Sequence, residues 1–188
     1  MQTPEYKKAL IGKLEPGDLI CVRGEQPLGK AIRFFTDSNI NHVGIYTGQG
    51  ILEAMIPKVE TNSLDKYIND NGTELYCCKV KGIDSIEKNR ILNYAILTTS
   101  GEQYDVLGIA GIAFRFTVQR YWWRLGKFIK FYGKNKVASP KSVWCSELVG
   151  RVYGAFNIKF TDEDTTWLTP DQIYNSNAVE KVLLGYSL

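Results

Sequence analysis

Histidine is nearly missing from this chain of 188 residues: the single one is His42. Any chemistry that pairs an imidazole with another group therefore uses His42 and no other. Cysteine is scarce as well, with four at irregular spacing (Cys21, Cys77, Cys78 and Cys145), so neither a disulfide framework nor a zinc site is favoured. No apolar run approaches the length that spans a bilayer, and the first eight residues, Met1-Gln-Thr-Pro-Glu-Tyr-Lys-Lys, lack the apolar stretch of a secretory signal. Repeats and low-complexity stretches are absent too. These absences point to a protein made and folded in a reducing cytoplasm, with no metal or other cofactor implied. What is present suits one compact domain: 44% hydrophobic residues and 12% aromatics supply a sizeable core.

His42 opens the run His42-Val43-Gly44-Ile45-Tyr46-Thr47-Gly48, and far downstream stands Trp144-Cys145-Ser146-Glu147-Leu148-Val149. Taken singly, a lone histidine in a strand is usually a packing residue, and a lone cysteine on an apolar helix face a small hydrophobe. Cys21, Cys77 and Cys78 keep that reading, because each sits in a β-rich run. Cys145 differs, since its block reads as the start of a helix, where the partial positive charge favours thiolate. An imidazole beside it would serve as base and then as acid.

The residues after His42 bear on how it would be held. The segment 42–46 alternates like a strand, Gly48-Gln49-Gly50 turns the chain, and Ile51-Leu52-Glu53-Ala54-Met55 reads as a second strand. An even loop pairs Tyr46 with Ile51 and His42 with Met55. Glu53 then projects on the same face as His42, one diagonal step away, and its carboxylate can fix the ring's tautomer. An odd loop would turn Glu53 to the opposite face.

Together with Pro16-Gly17-Asp18-Leu19-Ile20, Glu53-Ala54 and Tyr104-Asp105, the histidine and cysteine blocks resemble the circularly permuted NlpC-type papain-like cysteine hydrolases, and within them the YiiX/YaeF-like branch. The resemblance runs over about 14–170, with histidine before cysteine in the permuted order. It implies a nucleophile at Cys145, a base at His42, a third polar residue at Glu53, and Tyr104 as a substrate-shaping residue. It also implies an amidase or peptidase acting on murein-type cell-wall peptides, with relatives that move acyl groups on lipids. A long aromatic and basic insertion between Asp105 and Trp144 departs from the family pattern. A lipid-directed acyltransferase or thioesterase on the same residues, and a binding protein without turnover, are the alternatives.

A coarse pass predicts an α+β fold: an antiparallel sheet with helices packed on one side, in a permuted papain-like architecture. Strands are expected at 18–23, at the His42 hairpin, around Cys77 and at 179–184. Helices are expected at 28–36, from Ser63 through Ile68, from Asp84 or Ser85 to near Gly101, and from about Val106. Ser142 is expected to cap a helix with Cys145 in its first turn, and Thr169-Pro170-Asp171-Gln172 carries the signature of a further helix start.

The stretch 115–136 lacks acidic residues altogether and holds seven basic ones; taking these seven from 23 leaves 16 basic against 20 acidic groups elsewhere. The net charge of +3 thus conceals a concentrated patch. On a helical wheel Phe114, Val118, Tyr121, Trp122, Leu125, Phe128, Ile129 and Tyr132 share one face. Arg115, Arg120, Arg124, Lys127, Lys130 and Lys134 lie opposite with Phe116, Trp123 and Phe131. One reading is a helix docked on the core with a solvated basic face. The other is contact with an anionic membrane surface through Trp123, Arg120, Arg124 and Lys127. Nucleic acid is disfavoured, because no recognised binding motif accompanies the patch.

Overall fold

The computed structural model describes residues 2–121 and 142–183, without the side chains at 27, 28, 35, 36 and 119–121. The chain runs α1 (Pro4–Ile11), β1 (Leu19–Arg23), α2 (Pro27–Thr36), β2 (His42–Tyr46), β3 (Ile51–Ala54), β4 (Val59–Asn62), α3 (Asp65–Ile68), β5 (Glu74–Val80), α4 (Ser85–Thr99), β6 (Gln103–Tyr104), α5 (Val106–Tyr121), β7 (Ser142–Val143), α6 (Cys145–Gly154), a 3-10 turn (Thr165–Trp167), α7 (Pro170–Tyr174) and β8 (Val179–Lys181). Six strands form one sheet in the order β4-β3-β2-β1-β5-β8, every pairing antiparallel. The fold is α+β, as the sequence pattern implies.

Strand alternation divides the sheet between two cores. Leu19, Cys21, Val43, Ile45, Leu52, Ala54 and Cys78 pack with Ile91, Leu92 and Ala95 of α4 and Leu148, Val149 and Val152 of α6. The other face carries Ile20, Val22, Ile51, Leu75 and Cys77 under Leu10 and Ile11 of α1 and Leu64 and Ile68 beside and in α3. Helices therefore cover both faces, not one. The difference comes from α1, whose short amphipathic run is absent from the coarse reading. Its start is well formed, with Pro4 at the first turn and the Thr3 hydroxyl accepting from the Tyr6 amide.

Most helix boundaries follow local signals. Asp84 caps α4 by accepting from the Glu87 amide, and Thr169 with Gln172 forms a capping box on α7. Ser63 accepts the Asp65 amide at the start of α3. Ser142 is the exception: it belongs to β7, and the residue before α6 is Trp144, without a side-chain cap. β7 pairs in parallel with β6, Gln103 with Ser142 and Tyr104 with Val143. That short ladder, formed by residues distant in sequence, sets Tyr104 beside the entry to α6.

Gly108 makes a second placement possible. A Cβ there would come within 2.1 Å of the Trp144 ring. Only glycine lets α5 lie directly on Trp144, which is buried with Ile112 and Trp167 in a third, smaller cluster. The wheel assignment for the first part of α5 is inverted in the structure. Arg115, expected on the solvated face, is buried, with its guanidinium 2.6 and 3.3 Å from the Glu163 carboxylate oxygens and over the Trp167 ring. Phe114, expected to face the core, is 65% exposed. The Glu163 charge and the Trp167 ring compensate burial of the cation, which no wheel can foresee. Arg120 lies in α5 with its side chain outside the described residues, and Trp123, Arg124 and Lys127 lie outside them altogether. Among the described residues, no helix is long and apolar enough to cross a membrane.

Candidate active site

The hairpin has the even loop. Tyr46 pairs with Ile51 and Ile45 with Leu52, leaving Thr47–Gly50 as a four-residue turn closed by the Thr47 amide on the Gly50 carbonyl at 3.0 Å. The ladder stops there: Met55 lies past the end of β3, and His42 pairs instead with Val22 of β1. His42 and Glu53 therefore share a face, and a Glu53 oxygen lies 2.6 Å from His42 Nε2.

Glu53 is fully buried and surrounded by donors. Besides the imidazole, Lys66 Nζ donates at 2.5 Å, the Tyr67 hydroxyl at 2.6 Å and Asn62 Nδ2 at 3.1 Å. Burial alone would raise its pKa, but the hydrogen bonds from His42, Lys66 and Tyr67 outweigh it and hold the carboxyl at about 2. The group is a permanent anion at the centre of a saturated cluster. Tyr67 also stacks on the His42 ring, centroids 6.3 Å apart, and Lys66 sits over the Tyr67 ring.

Lys66 and Tyr67 escaped the sequence reading, although both flank Ile68 in a predicted helix. What places them is α1. Lys7, wholly buried, donates to the carbonyls of Tyr67 (2.9 Å), Ile68 (3.4 Å) and Asp70 (2.6 Å). The first two are carbonyls a helix end leaves unpaired, so Lys7 caps α3 from another element. The signal in the sequence was a lysine on the apolar side of a short helix, which by itself suggests nothing about a site.

Cys145 is the first residue of α6, buried against β2 and β3. It is a neighbour of His42, whose pKa it raises, and with Nε2 engaged by Glu53 the ring nitrogen left to face the thiol is Nδ1. Burial would lower the imidazole pKa, yet the charge and hydrogen bond of Cys145, followed by Glu53, lift it to about 10. At neutral pH the ring is an imidazolium beside the Glu53 carboxylate. The remaining thiols are placed otherwise: the hydrogen bond to Cys78 and burial push Cys21 well up, and burial pushes Cys77 up to about 12. Tyr104 also stands close, since Cys145 contributes, after burial, to raising its phenol. It lies within the same wall of residues as His42 and Tyr67.

Two cavities meet at this point. The larger, about 440 Å³, opens on His42, Lys66, Tyr67, Tyr104, Gln26, Asp70 and Thr73. The other, about 250 Å³, has Cys145 in its wall and lies between α2 and α5. Asn41 and Ile32 line both. The Asn41 amide is held by Gly24 in both directions, accepting from its N–H at 3.0 Å and donating to its carbonyl at 2.7 Å. Gly29 of α2 packs so tightly on Asn41 that a Cβ would come within 2.3 Å of its nitrogen.

No protein-family model matches the chain, and no curated protein does. Among solved structures it is similar to one described as the crystal structure of metalloprotein YiiX from Escherichia coli O157:H7, DUF1105, at 16% identity and a TM-score of 0.64. The match covers 92% of this chain and 98% of that one. At that identity the likeness establishes a shared fold and nothing further. The donors here do not fit a metal centre. Glu53 has four donors upon it, the only imidazole is held between Glu53 and Cys145, and among the described residues no three His, Cys, Asp or Glu side chains converge as a ligand set.

Proposed function

We propose that this protein is a cysteine hydrolase of the permuted papain-like kind, cleaving an amide or ester through a thioacyl-enzyme at Cys145. The observation that carries the reading is the imidazole of His42 held between a buried carboxylate and the cysteine at a helix start. Cys145 Sγ attacks the carbonyl carbon, and the oxyanion meets first-turn amides of α6, which have no acceptor within the helix. As the tetrahedral intermediate collapses, the bond to the leaving nitrogen or oxygen breaks and that atom takes the His42 proton. Water then attacks the thioester, giving a proton to His42, and the thiolate departs with the carboxylic acid released. Glu53 orients the ring and stabilises its charge; Tyr104 borders the reacting carbonyl.

A murein-type peptide is the substrate that the family resemblance implies, with a lipid-type acyl donor as the second reading. Peptide substrates need hydrogen-bonding partners on both sides of the scissile bond. Side chains that could supply them gather in the His42 cavity, and this asymmetry favours the second reading. Contact with an anionic membrane through Arg120, Trp123, Arg124 and Lys127 remains a proposal, tested by cosedimentation with anionic vesicles with and without Trp123→Ala. The test of the hydrolase is brief treatment with iodoacetamide at neutral pH followed by peptide mapping. Cys145 should be the thiol modified, and His42→Ala should slow the reaction. First labelling at Cys21, Cys77 or Cys78 would sink the assignment.

A further inference from the structure

His42 and Asn41, neighbours in sequence, lie on opposite faces of the sheet. His42 shares the face of Glu53. The Asn41 backbone N–H continues the ladder by donating to the Val22 carbonyl at 3.0 Å, so alternation sets its side chain on the face of Val43 and Ile45, where α6 packs. That side chain is 4% exposed and lines the cavity that has Cys145 in its wall. The other side-chain donors of this wall are spent within the protein. The Ser146 hydroxyl gives its hydrogen to the Leu168 carbonyl at 2.6 Å, Trp144 Nε1 donates to the Ser146 oxygen at 3.1 Å, and the Thr169 hydroxyl donates to the Gln172 side chain at 3.3 Å. Asn41 differs, because its amide carries two hydrogens and one is used. Oδ1 accepts from the Gly24 N–H at 3.0 Å while Nδ2 donates to the Gly24 carbonyl at 2.7 Å. This clamp fixes which end of the amide is nitrogen and consumes the hydrogen on the Oδ1 side. Among the described residues no acceptor meets the second hydrogen. Gly29 packs on the same nitrogen, where a Cβ would come within 2.3 Å, so only glycine leaves the amide this place.

We infer that Asn41 is a catalytic residue of the hydrolase, its spare Nδ2–H donating to the oxyanion that forms when Cys145 attacks the substrate. The inference rests on the hydrolase reading above and adds a side-chain donor to the first-turn amides of α6. As Sγ bonds to the carbonyl carbon, the π electron pair moves onto oxygen, and Nδ2–H meets that charge without giving up its proton. On collapse the pair returns, the bond to the leaving atom breaks, and that atom takes the His42 proton. A hydrogen bond to a charged oxygen is roughly twice as strong as one to a neutral carbonyl, so this donor acts on the barrier more than on substrate binding. The clamp on Gly24 holds the amide in place beforehand, and no reorientation is needed as the charge develops. Being neutral, the amide also leaves the charges of His42 and Glu53 undisturbed.

The test compares two reactions of the same thiol. Acylation of Cys145 by p-nitrophenyl acetate, read as the burst of nitrophenol and the acetyl group mapped on Cys145, passes through an oxyanion. Alkylation by iodoacetamide does not: sulfur bonds to the methylene carbon and iodide leaves. Asn41→Ala should slow acylation by about 100-fold or more, the loss typical of one oxyanion donor, while alkylation stays within about twofold. Gly29→Ala keeps the amide but displaces it, and should slow acylation by at least about tenfold with alkylation again indifferent. This second substitution carries less risk to folding, since it sits in a helix and only a side chain has to move; it decides alone if circular dichroism shows Asn41→Ala unfolded. Equal losses in the two rates would make Asn41 a mere support of the Cys145–His42 pair, and no loss in either would make it a plain cap for Gly24. Both results would overturn the inference and leave the cysteine hydrolase intact. If p-nitrophenyl acetate leaves no acetyl group on Cys145 of the unaltered protein, the hydrolase reading falls and this inference with it.

Discussion

On the His42 side of Cys145, four donors converge on one buried carboxylate; on the α2–α5 side, the polar side chains turn away into the protein. The first arrangement concentrates charge where a proton must be held and released. The second leaves a largely apolar wall beside the thiol. The two meet at Asn41 and Ile32. A low-dielectric wall on one side also strengthens the electrostatics of the other, since less water reaches the imidazolium and its partners.

The largest effect should come from removing the atom that joins the two sides. Cys145→Ala is expected to reduce turnover by about 10⁴-fold or more without unfolding the protein, checked by ester hydrolysis and circular dichroism. Retained turnover would place the nucleophile elsewhere. Glu53→Gln comes next. A neutral amide can accept from some of the four donors but adds two N–H groups among them. Turnover should fall by about 100-fold and stability by about 2 kcal/mol or more in urea unfolding, because the buried imidazolium loses its counter-ion, the solvent-screened Lys66 adding little. Stability equal to that of the unaltered protein would show that the cluster is looser than drawn.

The pH dependence separates the charged side from the apolar one. Glu53 is held at about 2, below its ordinary 4.5, so its contribution is present above pH 4.5 and fades as the pH falls toward 2. His42 is raised from 6.5 to about 10, so its contribution is complete below pH 6.5 and disappears as the pH climbs to 10. Glu147 adds a second decline with rising pH. Burial, then the nearby Asp105, push this carboxyl up to about 8 despite Arg151. Its raised pKa favours the fold below pH 4.5, and that advantage is lost between 4.5 and 8. Glu147→Gln should flatten the decline across pH 4.5–8, and His42→Gln the decline across pH 6.5–10. Alkylating Cys145 removes the group that contributes most to raising the His42 pKa, so that pKa, followed by NMR, should fall from about 10.

The smallest effect belongs to Lys66→Met. Its side chain is 39% exposed, so solvent screens the pair with Glu53, and stability should change by less than about 1 kcal/mol. Turnover should drop only a few-fold, since His42, Tyr67 and Asn62 still hold the carboxylate. A loss as large as that of Glu53→Gln would make the ammonium, and not the imidazole, the principal partner of Glu53.

Local chemistry in the chain determined the hairpin that sets Glu53 beside His42, the cap of α4 and the capping box of α7. Each depends on alternation, a turn or a cap within a few residues, and those interactions act wherever the chain happens to pack. Tertiary structure alone decided the rest. Lys66 and Tyr67 reach Glu53 because Lys7, sixty residues earlier, caps α3; Tyr104 reaches the cysteine through the parallel pairing of β6 with β7; Arg115 is buried because Glu163 and Trp167 come to meet it. The cavity beside Cys145 belongs to the same class. Its walls come from α2, α5 and the start of α7, and neither its volume nor the inward turn of its polar groups exists until those three segments, remote along the chain, close upon Trp144.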